Sequence, residues 1–213
     1  MAFLKDTVTL ARSRVQRRCH VCAFFHSRED EYQVMIPFLA EGLEAGEKVF
    51  QILDKEQRDQ RLSRLAQAGI DVAAAEERGL LELRPWEETY LKGTRFDQHA
   101  MLDILEGIAK EGEKQTGATR LWANMEWALL DYPGTEDLLE YESRVNYMLL
   151  KYDMATVCTF DLSKFSASLV MEVLRIHPHV IAGGILRENP FYVPPDELLN
   201  ELRARPVAGR RTE

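Results

Sequence analysis

The stretch RCHVCAFFHSRED (Arg18–Asp30) holds two of the chain's three cysteines and two of its five histidines. Cys19 and Cys22 have the C-x-x-C spacing of thiol pairs that ligate zinc or cycle between dithiol and disulfide. Either chemistry needs both sulfurs on one side of the backbone. The apolar run 20–25 reads as a strand, and alternation would put His20, Cys22 and Phe24 on one face and Cys19, Val21 and Ala23 on the other. The spacing therefore predicts buried strand cysteines, with His20 a hydrogen-bonded core histidine. The remaining ligand types, Cys158 and His177-Pro178-His179, fall in other elements at no recognised metal-site spacing. No metal and no cofactor are expected.

A first strand running into a loop and a helix is also where nucleotide-binding α/β folds place a glycine-rich phosphate loop. Here the loop is FFHSRED, without glycine and without GK[ST]. Glu29, Asp30 and Glu31 fill the first helical turn, where carboxylates satisfy the helix dipole and repel a triphosphate. No G-x-S-x-G elbow follows any strand, so a serine hydrolase is not supported. No catalytic residue is assigned.

The elements that must position these residues follow from hydrophobic periodicity. Strands are expected at 20–25, 48–53, 80–84, 120–125, 156–160 and 180–186, with helices near 28–45, 55–68, 95–116, 135–150 and 164–176. In the first helix Tyr32, Met35, Ile36, Leu39 and Leu43 make one apolar stripe. Ser27 is its expected N-cap and Gly46 its stop. Such alternation argues for an α/β fold of three layers, a mostly parallel sheet with helices on both faces. The 213 residues divide into a helical, basic extension (1–18), one domain (19–195), and a short terminal helix with a basic tail (196–213). A net charge of -8 disfavours direct nucleic-acid contact. No apolar run is long enough to cross a membrane and no secretory signal opens the chain, so a cytoplasmic protein is expected.

The run MIPFLAEGLEAGEKVFQIL (35–53) resembles the helix and second strand after the phosphate loop in KaiC- and RecA-like ATPases, here without the loop. More specifically, the chain is similar to the MEDS family, the methanogen/methylotroph sensory domain found in the repressor of dichloromethane degradation. The resemblance spans about residues 19–194. It rests on His20-x-Cys22, GLEAGEKV (42–49), Met125-Glu126-Trp127-Ala128, Tyr141-Glu142, Cys158-Thr159-Phe160-Asp161, His177-Pro178 and Asn189-Pro190-Phe191-Tyr192. Phe160 stands where the resemblance leads one to expect a tyrosine. It implies a non-catalytic module that senses small hydrocarbon derivatives and regulates a separate signalling protein. A divergent ATPase or other small-molecule enzyme is the alternative, and a homo-oligomer is compatible with either.

Open parallel sheets bind ligands outside the carboxyl ends of their strands. Those ends supply His26, Asp54, Trp86, Tyr90, Glu126, Trp127, Asp161, Arg187, Asn189 and Tyr192. All except Asp54 form the expected ligand site, and both Asp54 and Asp161 read equally as helix caps. Glu126 stands out, because an acid directly after the apolar strand RLWANM needs a partner if buried.

Overall fold

The computed structural model describes residues 6–205. Nine strands form in chain order: β1 (Thr7–Leu10), β2 (Ser13–Gln16), β3 (Cys19–Phe25), β4 (Lys48–Leu53), β5 (Leu81–Pro85), β6 (Thr119–Asn124), β7 (Met154–Asp161), β8 (His179–Ala182) and β9 (Ile185–Glu188). Seven α-helices accompany them among the described residues: α1 (Arg28–Glu44), α2 (Arg58–Gln67), α3 (Val72–Glu77), α4 (Gln98–Gln115), α5 (Leu138–Leu149), α6 (Ala167–Ile176) and α7 (Pro195–Ala204). The main sheet runs β5-β4-β6-β7-β3-β8-β9, parallel except for β9. β3, β4 and β6 are buried along their whole length, as strands covered on both faces must be.

The two faces carry separate apolar cores. Val21, Ala23 and Phe25 of β3 meet Tyr32, Met35, Leu39 and Leu43 of α1 on one side. Cys22 and Phe24 meet α4, α5 and α6 on the other, through Met101, Leu105, Tyr141, Val145 and Val173. Three layers result, and the expected α/β architecture is observed. Ser27 caps α1 by accepting from the Asp30 amide at 3.2 Å, and Gly46 follows the C-cap Ala45.

Three features differ from the sequence expectation. Residues 7–16 form an antiparallel hairpin, not a helical extension. Alternation in TVTL buries Val8 and Leu10 against α1, with Val15 opposite Val8. Its turn places Ala11 and Arg12 at positive φ, 47° and 61°, as a two-residue hairpin turn requires. Residues 180–186 are not one strand. Gly183 and Gly184, both at positive φ, fold the segment back into the β8–β9 hairpin. The short helix α3 also forms where no element was expected, capped by Asp71 accepting from the Ala74 amide. The expected basic tail lies outside the described residues beyond Arg205. Among the described residues no helix is long and apolar enough to cross a membrane.

The glycine of GLEAGEKV has a packing reason. A Cβ on Gly42 would lie 2.7 Å from Arg120 Cδ. Arg120 cannot yield easily, because its guanidinium donates to Glu47 at 2.6 Å, Glu41 at 2.8 Å and the Phe38 carbonyl at 2.7 Å. Gly42→Ala is expected to lower stability by about 1–3 kcal/mol, the usual cost of overpacking. Urea unfolding checks it, and an unchanged midpoint would show that Arg120 moves aside freely.

Candidate functional site

At the carboxyl end of β3, α1 begins where a phosphate loop would turn. Glu31, in its first turn, is buried beneath the helix. It accepts from Thr159 Oγ1 at 2.6 Å, Trp122 Nε1 at 3.1 Å and Arg28 at 2.8 Å, and lies 3.5 Å from Arg61. The Arg61 guanidinium is itself buried, 3.5 Å above the Trp122 ring. Arg28 also pairs with Glu126, which pairs in turn with Lys164. Glu126 is only 8% exposed and has found the partners its burial demands. The space left between Phe25, Arg28, Glu31 and Phe160 is about 10 Å³, at the threshold for a single water.

Trp86, Tyr90 and Trp127 do not line a crevice either. Tyr90 stacks on Trp127 with centroids 4.4 Å apart, Phe96 and Tyr141 pack against them, and Trp86 Nε1 donates to the Asn124 carbonyl at 3.2 Å. All five rings are buried. His26 is exposed, while Asp54 and Asp161 cap local turns, accepting from the Glu56 amide at 3.0 Å and the Ser163 amide at 2.9 Å. The last three expected residues lie at the other end of the sheet. β9 runs back antiparallel, so Glu188 pairs with His179 and the following loop reaches the amino ends of the strands. There Asn189 is buried, donating to the carbonyls of Leu174 and His177. Arg187 is exposed and Tyr192 is partly exposed.

That amino edge holds an open cavity of about 290 Å³. Leu149, Leu150, Pro178 and Tyr192 supply apolar walls, while His20, Asn146 and His179 supply polar groups. His179 Nδ1 is buried without a hydrogen-bond partner among the described residues. Directly beneath, His20 faces a second set of side chains in the core. Glu142 Oε2 lies 3.3 Å from both His20 Nε2 and His177 Nε2, and Cys158 Sγ lies 3.5 Å from His20 Nε2 and from Glu142 Oε2.

The family described as MEDS, the methanogen/methylotroph, DcmR sensory domain, matches residues 19–178. The chain belongs to the MEDS family. It is 26% identical over 163 residues to the transcriptional repressor DcmR of Methylorubrum extorquens, across 74% of this chain and 57% of that protein. The chain thus spans little more than half the length of this curated relative. The KaiC-like protein PH0186 of Pyrococcus horikoshii shares the fold at a TM-score of 0.55 and 18% identity, over 78% of this chain and 70% of that one.

Within this MEDS domain the buried cluster carries an electrostatic conflict. Burial, followed by the neighbouring His177, pushes the His20 imidazolium below its ordinary 6.5, more than Glu142 and Asn146 raise it. Burial pushes Glu142 up, and only its contacts with His177 and His20 hold it down, at about 2. Neutral rings suit the burial, whereas the carboxylate calls for positive charge. The thiols are protonated: burial lifts Cys19 to about 12 and raises Cys22 and Cys158 as well. Cys19 and Cys22 belong to opposite cores, as strand alternation requires.

His20, Cys158 and His177 stand in separate elements of the chain, and only the fold brings them together. Glu142 was the readable signal, an acid among Leu138, Tyr141, Val145 and Leu149 on the buried stripe of α5.

Glu31 yields a pH-dependent expectation. Burial raises its carboxyl, but Arg61 and Arg28, with the Thr159 hydrogen bond, outweigh it and hold the pKa below the ordinary 4.5. Its contribution is therefore complete above that value and lost as pH falls through the depressed one. Glu31→Gln should cost about 3–5 kcal/mol at neutral pH, since Arg61 would be left buried and unpaired. It should also flatten the acid limb of the stability curve. Urea midpoints across the acid range measure both, and an acid limb as steep as wild type would assign the loss to another carboxylate.

Proposed function

We propose that this chain is a non-catalytic sensory module that takes a small, weakly polar organic molecule into the cavity at the amino edge and regulates a partner protein. The cavity carries this reading. Its volume of about 290 Å³ lies at the small end of ligand pockets, and its apolar walls with few polar groups are what such a molecule needs. His179 and Asn146 on its wall can fix the orientation of a polar atom on it. The family's sensory description and the repressor among its relatives agree with a regulatory role. Small hydrocarbon derivatives fit the size. A modest affinity follows from the few atoms such a molecule brings.

An ATPase reading is disfavoured by the charges at the carboxyl end of β3. A triphosphate there would meet Glu31 and Glu126, and Arg28 is already held by both. Calorimetry with magnesium ATP is expected to give no binding heat, and micromolar affinity would overturn the non-catalytic reading.

The cavity itself is tested by NMR titration with dichloromethane and with 1-propanol. Saturable shifts are expected at Leu149, Leu150 and Tyr192. His179→Leu should weaken 1-propanol by roughly 2–10-fold, the worth of one hydrogen bond. Saturable shifts around Arg28 and Glu126 instead, or none anywhere, would remove the cavity from consideration.

A further inference from the structure

His20 from β3, Glu142 from α5, Cys158 from β7 and His177 just past α6 converge in the core, with ligand atoms all within 4.8 Å of one another. The four residues are buried. A tetrahedral zinc ion with bonds of about 2.0–2.3 Å separates its ligand atoms by roughly 3.3–3.8 Å. The contacts of 3.3 and 3.5 Å between Glu142, the two rings and the sulfur match that spacing.

The hydrogen bonds behind the rings set which nitrogen faces inward. Asn146 Nδ2 donates to the Ile176 carbonyl at 3.0 Å, which turns Asn146 Oδ1 toward His20 Nδ1 at 3.2 Å. His177 Nδ1 meets the Val173 carbonyl at 2.8 Å. Both partners are acceptors, so both Nδ1 atoms carry a proton and each ring turns its Nε2 toward the carboxylate. Such backbone and amide partners are what orient metal-bound histidines. His177 Nε2, fully buried, has no hydrogen-bond partner among the described residues; its approach to Glu142 lacks hydrogen-bond geometry. Two imidazole nitrogens, a thiol sulfur and a carboxylate converging in the core are the donor set of a buried cation.

We propose that His20, Glu142, Cys158 and His177 form a closed site for a divalent cation of the zinc class. Nitrogen, oxygen and sulfur donors together suit a borderline-soft ion. On binding, the Cys158 thiol releases its proton to solvent and a sulfur–metal bond forms. Thiolate and carboxylate then cancel the ion's double charge, which is the condition for burying it. Four protein ligands leave no open position, so the ion ties α5 and the end of α6 to the sheet and does no chemistry. Cys22 is outside the set, its sulfur facing the His179 carbonyl at 3.6 Å.

The test uses the full chain loaded with zinc or cobalt, dialysed, and measured by elemental analysis and absorption spectroscopy. One zinc per chain is expected, and cobalt should show tetrahedral ligand-field bands with a sulfur-to-cobalt charge-transfer band. Cys158→Ser should abolish the charge-transfer band, Cys22→Ala should keep it, and Asn146→Ala should weaken metal binding about 10–100-fold. No retained metal, or a charge-transfer band that survives Cys158→Ser, would overturn the site. Should the variants fail to fold, cadmium-113 NMR of the wild-type chain decides. A resonance in the range of mixed nitrogen, oxygen and single-sulfur ligation supports the assignment, and an oxygen-only shift or no bound cadmium overturns it. The measurement involves no organic molecule, so the cavity reading and the metal site can fail separately.

Discussion

A carboxylate removed from water must be met by groups that compensate its charge, and this fold does so at both ends of its central strand. Glu31 sits near the carboxyl end of β3, beneath α1, and Glu142 sits near the amino end, beneath α5. Each lies against an otherwise apolar layer, and each fixes side chains from several elements. Glu31 gathers Arg28, Arg61, Trp122 and Thr159, so α1, α2, β6 and β7 are registered against one charged atom pair. Glu142 gathers His20, His177 and Cys158, registering α5, β3, β7 and the end of α6. Removing either acid strands its partners in low dielectric, which costs more than the pairing itself contributes.

The Glu31 network occupies the place where nucleotide-binding α/β folds hold a phosphate. In a phosphate-binding relative the amides and positive end of the first helix are left for the ligand. Here Ser27 takes the Asp30 amide, and carboxylates occupy the rest of the turn. Arg28, the residue best placed to hold an anion, is committed to Glu31 and Glu126. The network thus supplies internally, at the start of α1, the negative charge that a phosphate brings in those folds.

Much of the architecture was legible because period-two and helical patterns in β3, β4 and α1 are forced by burial on known faces. The same logic separated Cys19 from Cys22. Position along the chain failed where geometry depends on a turn: two glycines at 183–184 reverse β9, and that carries Asn189 and Tyr192 to the opposite end of the sheet from where a single strand would leave them. Trp86, Tyr90 and Trp127 all lie in one core, and nothing in a linear pattern tells a packed wall from a crevice. The Glu142 cluster was harder still. Its members come from four elements, and only the parallel register that sets Cys22 beside Cys158 brings the cysteine of β7 near the histidine of β3.

His20 joins the two features of the amino edge. One of its ring nitrogens faces Asn146, in the cavity wall, and the other faces Glu142 and Cys158 in the core. Helix α5 carries Glu142, Asn146, Tyr147 and Leu149, so it contributes both to the cluster and to the cavity lining. A molecule that displaces Asn146 would remove the hydrogen bond that orients the His20 ring. The ring could then turn only by breaking its contacts with Glu142, since both sides are buried and close-packed. The cavity wall and the buried cluster thus share one imidazole. On the same helix, Tyr147 lines the cavity and donates to Asp196 of α7, so the cavity wall is tied to the outer layer of the molecule as well.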